Sequence, residues 1–150
     1  MRRGQQKRVA TPGQQKWYHL FGAYNWRSDE VIFLPAAKKN SATFCWFIEH
    51  LMQSVPTDKP IVIVLDNASY HHSAVAEAML AYYEDRSLVV WLPPYCSDLN
   101  SIERFWLHLK HSTCANRLFK SIEAVVDSVD KVLALQNDLS CSERFLFSKT

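Results

Sequence analysis

Hydrophobic and polar positions along this chain repeat with two different periods, and the switches between them mark its elements. Residues 17–26, from Trp17 to Trp26, are dense in aromatic side chains and read as a strand. Arg27-Ser28-Asp29 is a turn signal, and residues 30–35, with Val31, Ile32 and Phe33, read as a second strand ending at Pro35. The pair predicts a hairpin. Phe44, Phe47, Ile48 and Leu51 recur at helical spacing and predict a helix from about Ala42 to Gln53, capped by Asn40 or Ser41. Ile61-Val62-Ile63-Val64-Leu65 is an unbroken apolar run, the pattern of a strand buried on both faces of a sheet.

An Ala-rich helix follows over about 73–83, then a strand over 88–92 stopped by Pro93-Pro94. A helix over about Asn100–His111 comes next, with Leu99, Ile102, Trp106 and Leu109 as its apolar stripe. The last helix covers about Ser121–Leu135, its apolar side made by Ile122, Val125, Val126, Val129 and Leu133. Strands alternating with helices predict an α/β sandwich with a parallel component and an antiparallel hairpin at one edge.

A chain of 150 residues fits one domain with a real core. At 48% hydrophobic residues with only three glycines, it is neither a disordered nor a fibrous composition. The division expected is a basic segment over 1–16, a folded domain over 17–138 and a tail over 139–150. Arg2, Arg3, Lys7, Arg8 and Lys16 have no acid among them, and Arg104, Lys110, Arg117 and Lys120 form a second basic group. Such stretches suit a polyanion such as DNA, but on charge alone a solvated face with a loose basic tail is the better account. Cys45, Cys96, Cys114 and Cys141 are far apart and form no zinc-type pair. Neither a signal peptide nor a membrane-length apolar run is present, so a reduced, cytosolic setting is expected.

Two carboxylates stand out. Asp66 directly follows the Ile61–Leu65 run, and the C-terminal ends of strands are where α/β sheets gather reactive groups. A turn or helix-capping Asp would also stand there. Glu103 falls near the start of a helix, at the border of its apolar stripe; an acid favoured by the helix dipole would stand there too. Converging from a strand end and a helix, the two could share a divalent cation that promotes in-line phosphoryl transfer. Hard oxygen ligands select Mg²⁺ or Mn²⁺.

Residues 65–73 read Leu-Asp-Asn-Ala-Ser-Tyr-His-His-Ser, and residues 92–106 read Leu-Pro-Pro-Tyr-Cys-Ser-Asp-Leu-Asn-Ser-Ile-Glu-Arg-Phe-Trp. This pair resembles the second and third signature blocks of the mariner-like insertion-sequence transposases, members of the DDE superfamily. Gly-Ala-Tyr-Asn at 22–25 also looks like that family's second-strand segment, and the likeness covers roughly residues 3–112. The resemblance implies an RNase H-like mixed sheet flanked by helices. It implies Asp66 as the second catalytic carboxylate and Glu103 as the third, both on Mg²⁺ or Mn²⁺. Asn67 and His71 match the turn after Asp66, Asn100 is a cap for the helix of Glu103, and Arg104 and Lys110 are DNA-contact candidates. The implied partners are transposon ends and target DNA, in a homo-oligomer, in the nucleoid-associated cytoplasm of a bacterium.

This sequence departs from the family pattern in several places. Cys96-Ser97 replaces a usual Ser-Pro and Ser101 replaces a usual Pro, which loosens the loop without removing a ligand. The larger departure is the first carboxylate. In the family it lies on the first, central strand, but residues 1–16 hold no Asp or Glu, and neither Asp29 in the hairpin turn nor Asp58 in a loop suits the role. The expectation is an N-terminally truncated relic, or one of two overlapping reading frames whose upstream product supplies the first Asp and helix-turn-helix modules. A non-catalytic DNA-binding or subunit-association module is the competing class. A generic hydrolase lacks support, since no nucleophile elbow or Gly-rich phosphate loop is present.

Overall fold

The computed structural model describes residues 18–113, 119 and 121–138. The basic segment 1–16, the tail 139–150, Arg117 and Lys120 lie outside the described residues. The predicted strands and helices occur in the predicted order: β1 (His19–Tyr24), β2 (Val31–Ala36), α1 (Ser41–Ser54), β3 (Ile61–Leu65), α2 (Ala74–Tyr82), β4 (Ser87–Trp91), α3 (Ser101–Thr113) and α4 (Ile122–Asp138). Single 3₁₀ turns at Ser69–His71 and Ser97–Leu99 lead into α2 and α3. Three residues carry no period, so the sequence pattern does not announce them.

β1 and β2 pair antiparallel, from His19 opposite Ala36 to Tyr24 opposite Val31. The Asn25 N–H donates to the Glu30 carbonyl at 2.8 Å and the Asp29 N–H to the Asn25 carbonyl at 2.8 Å, closing the turn. Asp29 adopts a φ of 60°, a left-handed conformation that Asp tolerates better than most residues. It is more than a turn residue. Its side chain is buried and accepts from the Tyr24 hydroxyl, and the Gln136 side-chain amide on α4 donates to its carbonyl at 2.6 Å. The Asn137 amide pairs twice with the backbone of Val31 along the outer side of β2.

Two cores flank the hairpin. On one face α1 buries Phe44, Phe47, Ile48, Leu51 and Met52 against Phe21, Ile63 and the α2 residues Ala76 and Leu80. Asn40 caps α1: its side chain accepts from the Thr43 N–H at 3.0 Å while Thr43 Oγ1 accepts from the Asn40 N–H at 3.1 Å. Burial also pushes the Cys45 thiol pKa up, as expected of a packing cysteine. On the other face α3 and α4 enclose Val31 with Phe105, Leu109, Val129 and Leu133. Phe105, not Leu99, leads the α3 stripe. Leu99 is 63% exposed because it belongs to the preceding 3₁₀ turn and is out of phase with the helix. Gly22 admits this packing, since a Cβ there would lie 2.7 Å from the Trp106 ring.

β3 and β4 pair in parallel, from Ile61 opposite Ser87 to Leu65 opposite Trp91. Arg86, just before β4, donates to the carbonyls of Met52 at 2.7 Å and Pro56 at 2.8 Å, and also to Val55. It thereby satisfies orphan carbonyls at the end of α1 and ties that helix to the β4 strand. Ile63 is buried, but Val62 (63% exposed) and Val64 (43%) are not, and nor are Leu88 and Val90 beside them. The expectation of a strand buried on both faces is therefore corrected. α1 covers one face, while α3 and α4 pack on the hairpin, so among the described residues no element covers the other.

The chain is thus a mixed α/β protein with four helices and two small sheets among the described residues. β1 and β3 are not paired with one another. Between them runs a cleft of about 1490 Å³, lined on one side by β1, on the other by β3, and walled by α1, α3 and α4.

Candidate active site

Asp66 is the first residue after β3. Its carbonyl and its Oδ1 each lie 3.0 Å from Nδ1 of His71, and its Oδ1 also accepts the Ala68 N–H at 3.1 Å. Two acceptors facing one ring nitrogen place a hydrogen on that nitrogen. His71 is buried, its ring 4.5 Å from those of both Phe44 and Tyr70. The imidazole is therefore held by core packing, and it holds Asp66 Oδ1. Oδ2 makes no hydrogen bond among the described residues and is the oxygen available to a ligand.

Asn67 turns away. It donates to the Leu92 carbonyl at 2.6 Å and its Oδ1 lies 3.2 Å from His72 Nε2, while the His72 ring stacks on Trp91 at 4.2 Å. These contacts fasten the Asp66 turn to the end of β4. Asn67 lines a separate depression with Asp66 and residues 92–97 rather than the main cleft.

Glu103 is exposed in the first turn of α3. Asn100 starts that helix, with its carbonyl accepting from the Glu103 N–H at 3.0 Å and its Oδ1 from the Ile102 N–H at 3.4 Å. This agrees with the expected capping role. Lys110, seven residues beyond Glu103 and so on the same helical side, also lines the cleft; Arg104 is exposed and does not.

The cleft brings together Asp66, His71, Asn100, Glu103 and Lys110, and leaves out Asn67 and Arg104. Tyr70, to which no role was assigned from the sequence, lines it too. Burial raises the pKa of its phenol, and the charges of Asp66 and Glu103 raise it further. Both carboxylates are thus within electrostatic reach of one hydroxyl. The signal was present, because Tyr70 sits inside the Leu-Asp-Asn-Ala-Ser-Tyr block; what was lacking was a chemical reason to select it.

Two carboxylates of the hard-oxygen type fit Mg²⁺ or Mn²⁺ as part of a ligand set. Among the described residues no group of three His, Cys, Asp or Glu side chains stands close enough to hold an ion. A carboxylate at a strand end, a second on a helix and a basic residue thus line one cleft, residue types that metal-assisted phosphoryl transfer uses.

Comparison with known sequences agrees. The profile described as "DDE superfamily endonuclease" matches residues 1–126, and the chain belongs to that family. It is 31% identical over 127 residues to the "Insertion element IS630 uncharacterized 39 kDa protein" of Shigella sonnei. That match takes in 85% of this chain and 37% of the relative. It is 24% identical over 110 residues to the "Uncharacterized protein y4pE/y4sA" of Sinorhizobium fredii (strain NBRC 101917 / NGR234), covering 73% of this chain and 78% of that one. The chain thus spans little more than a third of the insertion-element relative's length. None of the described helices is long and apolar enough to cross a membrane.

Proposed function

We propose that this chain is the C-terminal catalytic part of a DNA transposase of the mariner-like group, performing metal-dependent strand cleavage and strand transfer once completed. One observation carries the reading: Asp66 and Glu103, from the two motif blocks, line the same cleft. The reading takes the two small sheets, β1–β2 and β3–β4, as parts of an RNase H-like domain, supported by the family match. Asp66, through Oδ2, and Glu103, on α3, would hold Mg²⁺ or Mn²⁺. Such a cation would supply charge stabilisation for the attacking hydroxyl or water and for the leaving oxygen. Asn67 and His71 position the Asp66 turn. Lys110 meets a DNA phosphate in the cleft, and Arg104 one outside it.

The partners are transposon ends and target DNA, in a homo-oligomeric assembly in the bacterial cytoplasm. Asp66 and Glu103 match two of the family's three carboxylates, and on this reading residues 1–150 alone do not cut DNA. A strand-cleavage assay of the chain with Mg²⁺ or Mn²⁺ tests this. No cutting is expected, and robust cutting that Asp66→Ala abolishes would overturn this. A second reading, a subunit-association module without chemistry, draws on the uncovered apolar face of Val62, Val64, Leu88 and Val90. It requires no cation at Asp66 and Glu103.

A further inference from the structure

Beyond β4 the chain has few ways to run. Pro93 and Pro94 fix their own φ, and each biases the residue before it to extended backbone, so Leu92 and Pro93 carry the strand's direction past Trp91. The reversal falls on Pro94 and Tyr95. Tyr95 adopts a φ of 61°, the left-handed conformation that a turn with Pro at its first central position gives to Gly or Asn at its second. For a residue as bulky as Tyr it is an outlier. Packing does not compensate it. Tyr95 is 104% exposed, and among the described residues its ring meets no other ring and its hydroxyl makes no hydrogen bond. An aromatic ring presented to solvent from strained backbone points to a ligand.

Tyr95 rims the depression beside the Asp66 turn, whose volume of about 410 Å³ falls within the roughly 300–1,000 Å³ of small-ligand sites. Leu92, Pro93, Pro94 and Tyr95 make its walls apolar, and Asp66 and Ser97 add polar groups. No Lys or Arg is among the described residues that line it. A hollow with a carboxylate and no cation repels a phosphate. It suits a flat, uncharged group with a polar rim, such as a nucleobase. Its two sides are braced. Asn67 donates to the Leu92 carbonyl at 2.6 Å, and its Oδ1 lies 3.2 Å from Nε2 of His72, whose ring stacks on Trp91. The Asp66 turn and the end of β4 are thereby held at a set separation, so the hollow is preorganised. Asp66 lines both this depression and the main cleft. A nucleotide whose phosphate meets a cation in the cleft has the depression beside it for a base.

We propose that the depression takes one unpaired nucleobase of the DNA strand held at Asp66, with the Tyr95 ring stacked on its face. The path of the strand past Asp66 rests on the transposase reading; the stacking site does not. A base inside a duplex has both faces covered by its neighbours. Tyr95 therefore reaches only a base that is flipped out, in an overhang or in a single strand. Stacking accepts any base, because every base has a π-face, so the site reads the unpaired state and not the sequence.

2-Aminopurine, whose fluorescence falls when it stacks, reads the contact. One DNA duplex carries it as a single unpaired nucleotide at the end of the paired segment; a second carries it paired. With the full 150-residue chain in EDTA, the unpaired probe is expected to bind more tightly than the paired one and to lose fluorescence at saturation. Tyr95→Ala should weaken that binding at least about fivefold, the low end for base–aromatic stacking, and abolish the quenching, while Tyr95→Trp keeps both. Tyr95→Gly should keep or raise the urea midpoint, since Gly adopts the positive φ freely, yet lose the quenching. Equal affinity for the two probes, no binding of either, or unchanged binding by Tyr95→Ala overturns the proposal. So does a Tyr95→Gly midpoint well below wild type, which would make Tyr95 a folding residue. Mn²⁺ separates the site from the catalytic reading. If Mn²⁺ tightens the unpaired probe through Asp66 but Tyr95→Ala changes nothing, that reading stands and the stacking site fails. If Tyr95→Ala weakens binding in EDTA and Mn²⁺ has no effect, the stacking site stands and the catalytic reading fails.

Discussion

Asn137, near the end of α4, exchanges two hydrogen bonds with the backbone of Val31: the Val31 N–H donates to Oδ1 at 2.9 Å, and Nδ2 donates to the Val31 carbonyl at 3.0 Å. The side-chain amide does for β2 what a neighbouring strand would do, and it seals the outer edge of the hairpin. Asn137→Leu leaves both groups of a buried residue unsatisfied. We expect a loss of about 1–3 kcal/mol, read as a lower urea midpoint with an unchanged slope. A midpoint equal to wild type would mean that water replaces the amide.

Phe105 is fully buried between the hairpin and α4, its ring 6.3 Å from that of Tyr24. Phe105→Ala should cost about 3–5 kcal/mol. Leu107→Ala, on the exposed side of the same helix, should change stability by less than about 0.5 kcal/mol. Thermal unfolding of the two variants side by side checks which face of α3 is the packed one.

The eight strands and helices were legible in the sequence because each carries its period over five or more residues. What was not legible came from tertiary contacts. Gln136 and Asn137 fall outside the Ile122–Leu133 apolar pattern of α4, yet both bond to the hairpin backbone. Val62 and Val64 read as core because their side chains are apolar, but exposure depends on which face α3 and α4 choose. At the site, Asp66, His71, Asn100 and Glu103 came from the motif blocks and Lys110 from the basic group after them, and all five line one cleft. Asn67 and Arg104 came from the same blocks, and the fold leaves them out of it.

His108 on α3 illustrates a pH effect the sequence does not announce. Burial lowers its pKa below the ordinary value, and His111 nearby lowers it further. The folded state therefore resists protonating it. Stability is unaffected above the unfolded value of about 6.5 and falls as the pH drops through that value to the lower folded one. His108→Gln should flatten that part of the stability–pH curve, measured by urea unfolding between pH 7 and pH 5. A curve that keeps its slope in the variant would assign the effect to another group.

His71 acts on Asp66 through one hydrogen. His71→Leu removes the donor and should weaken Mn²⁺ binding roughly 10–100-fold. His71→Asn, whose amide can donate in nearly the same place, should recover most of it. A role confined to packing would give the opposite order, with Leu the better substitute; paired Mn²⁺ titrations and melting curves distinguish them.

The central claim is that Asp66 and Glu103 serve one cation. Isothermal titration of the 150-residue chain with Mn²⁺ tests it most directly, alongside Asp66→Asn and Glu103→Gln, each shown to be folded by circular dichroism. The expected result is one bound ion in the wild-type chain, weakened at least tenfold by either substitution alone. Binding that neither substitution changes would contradict the account.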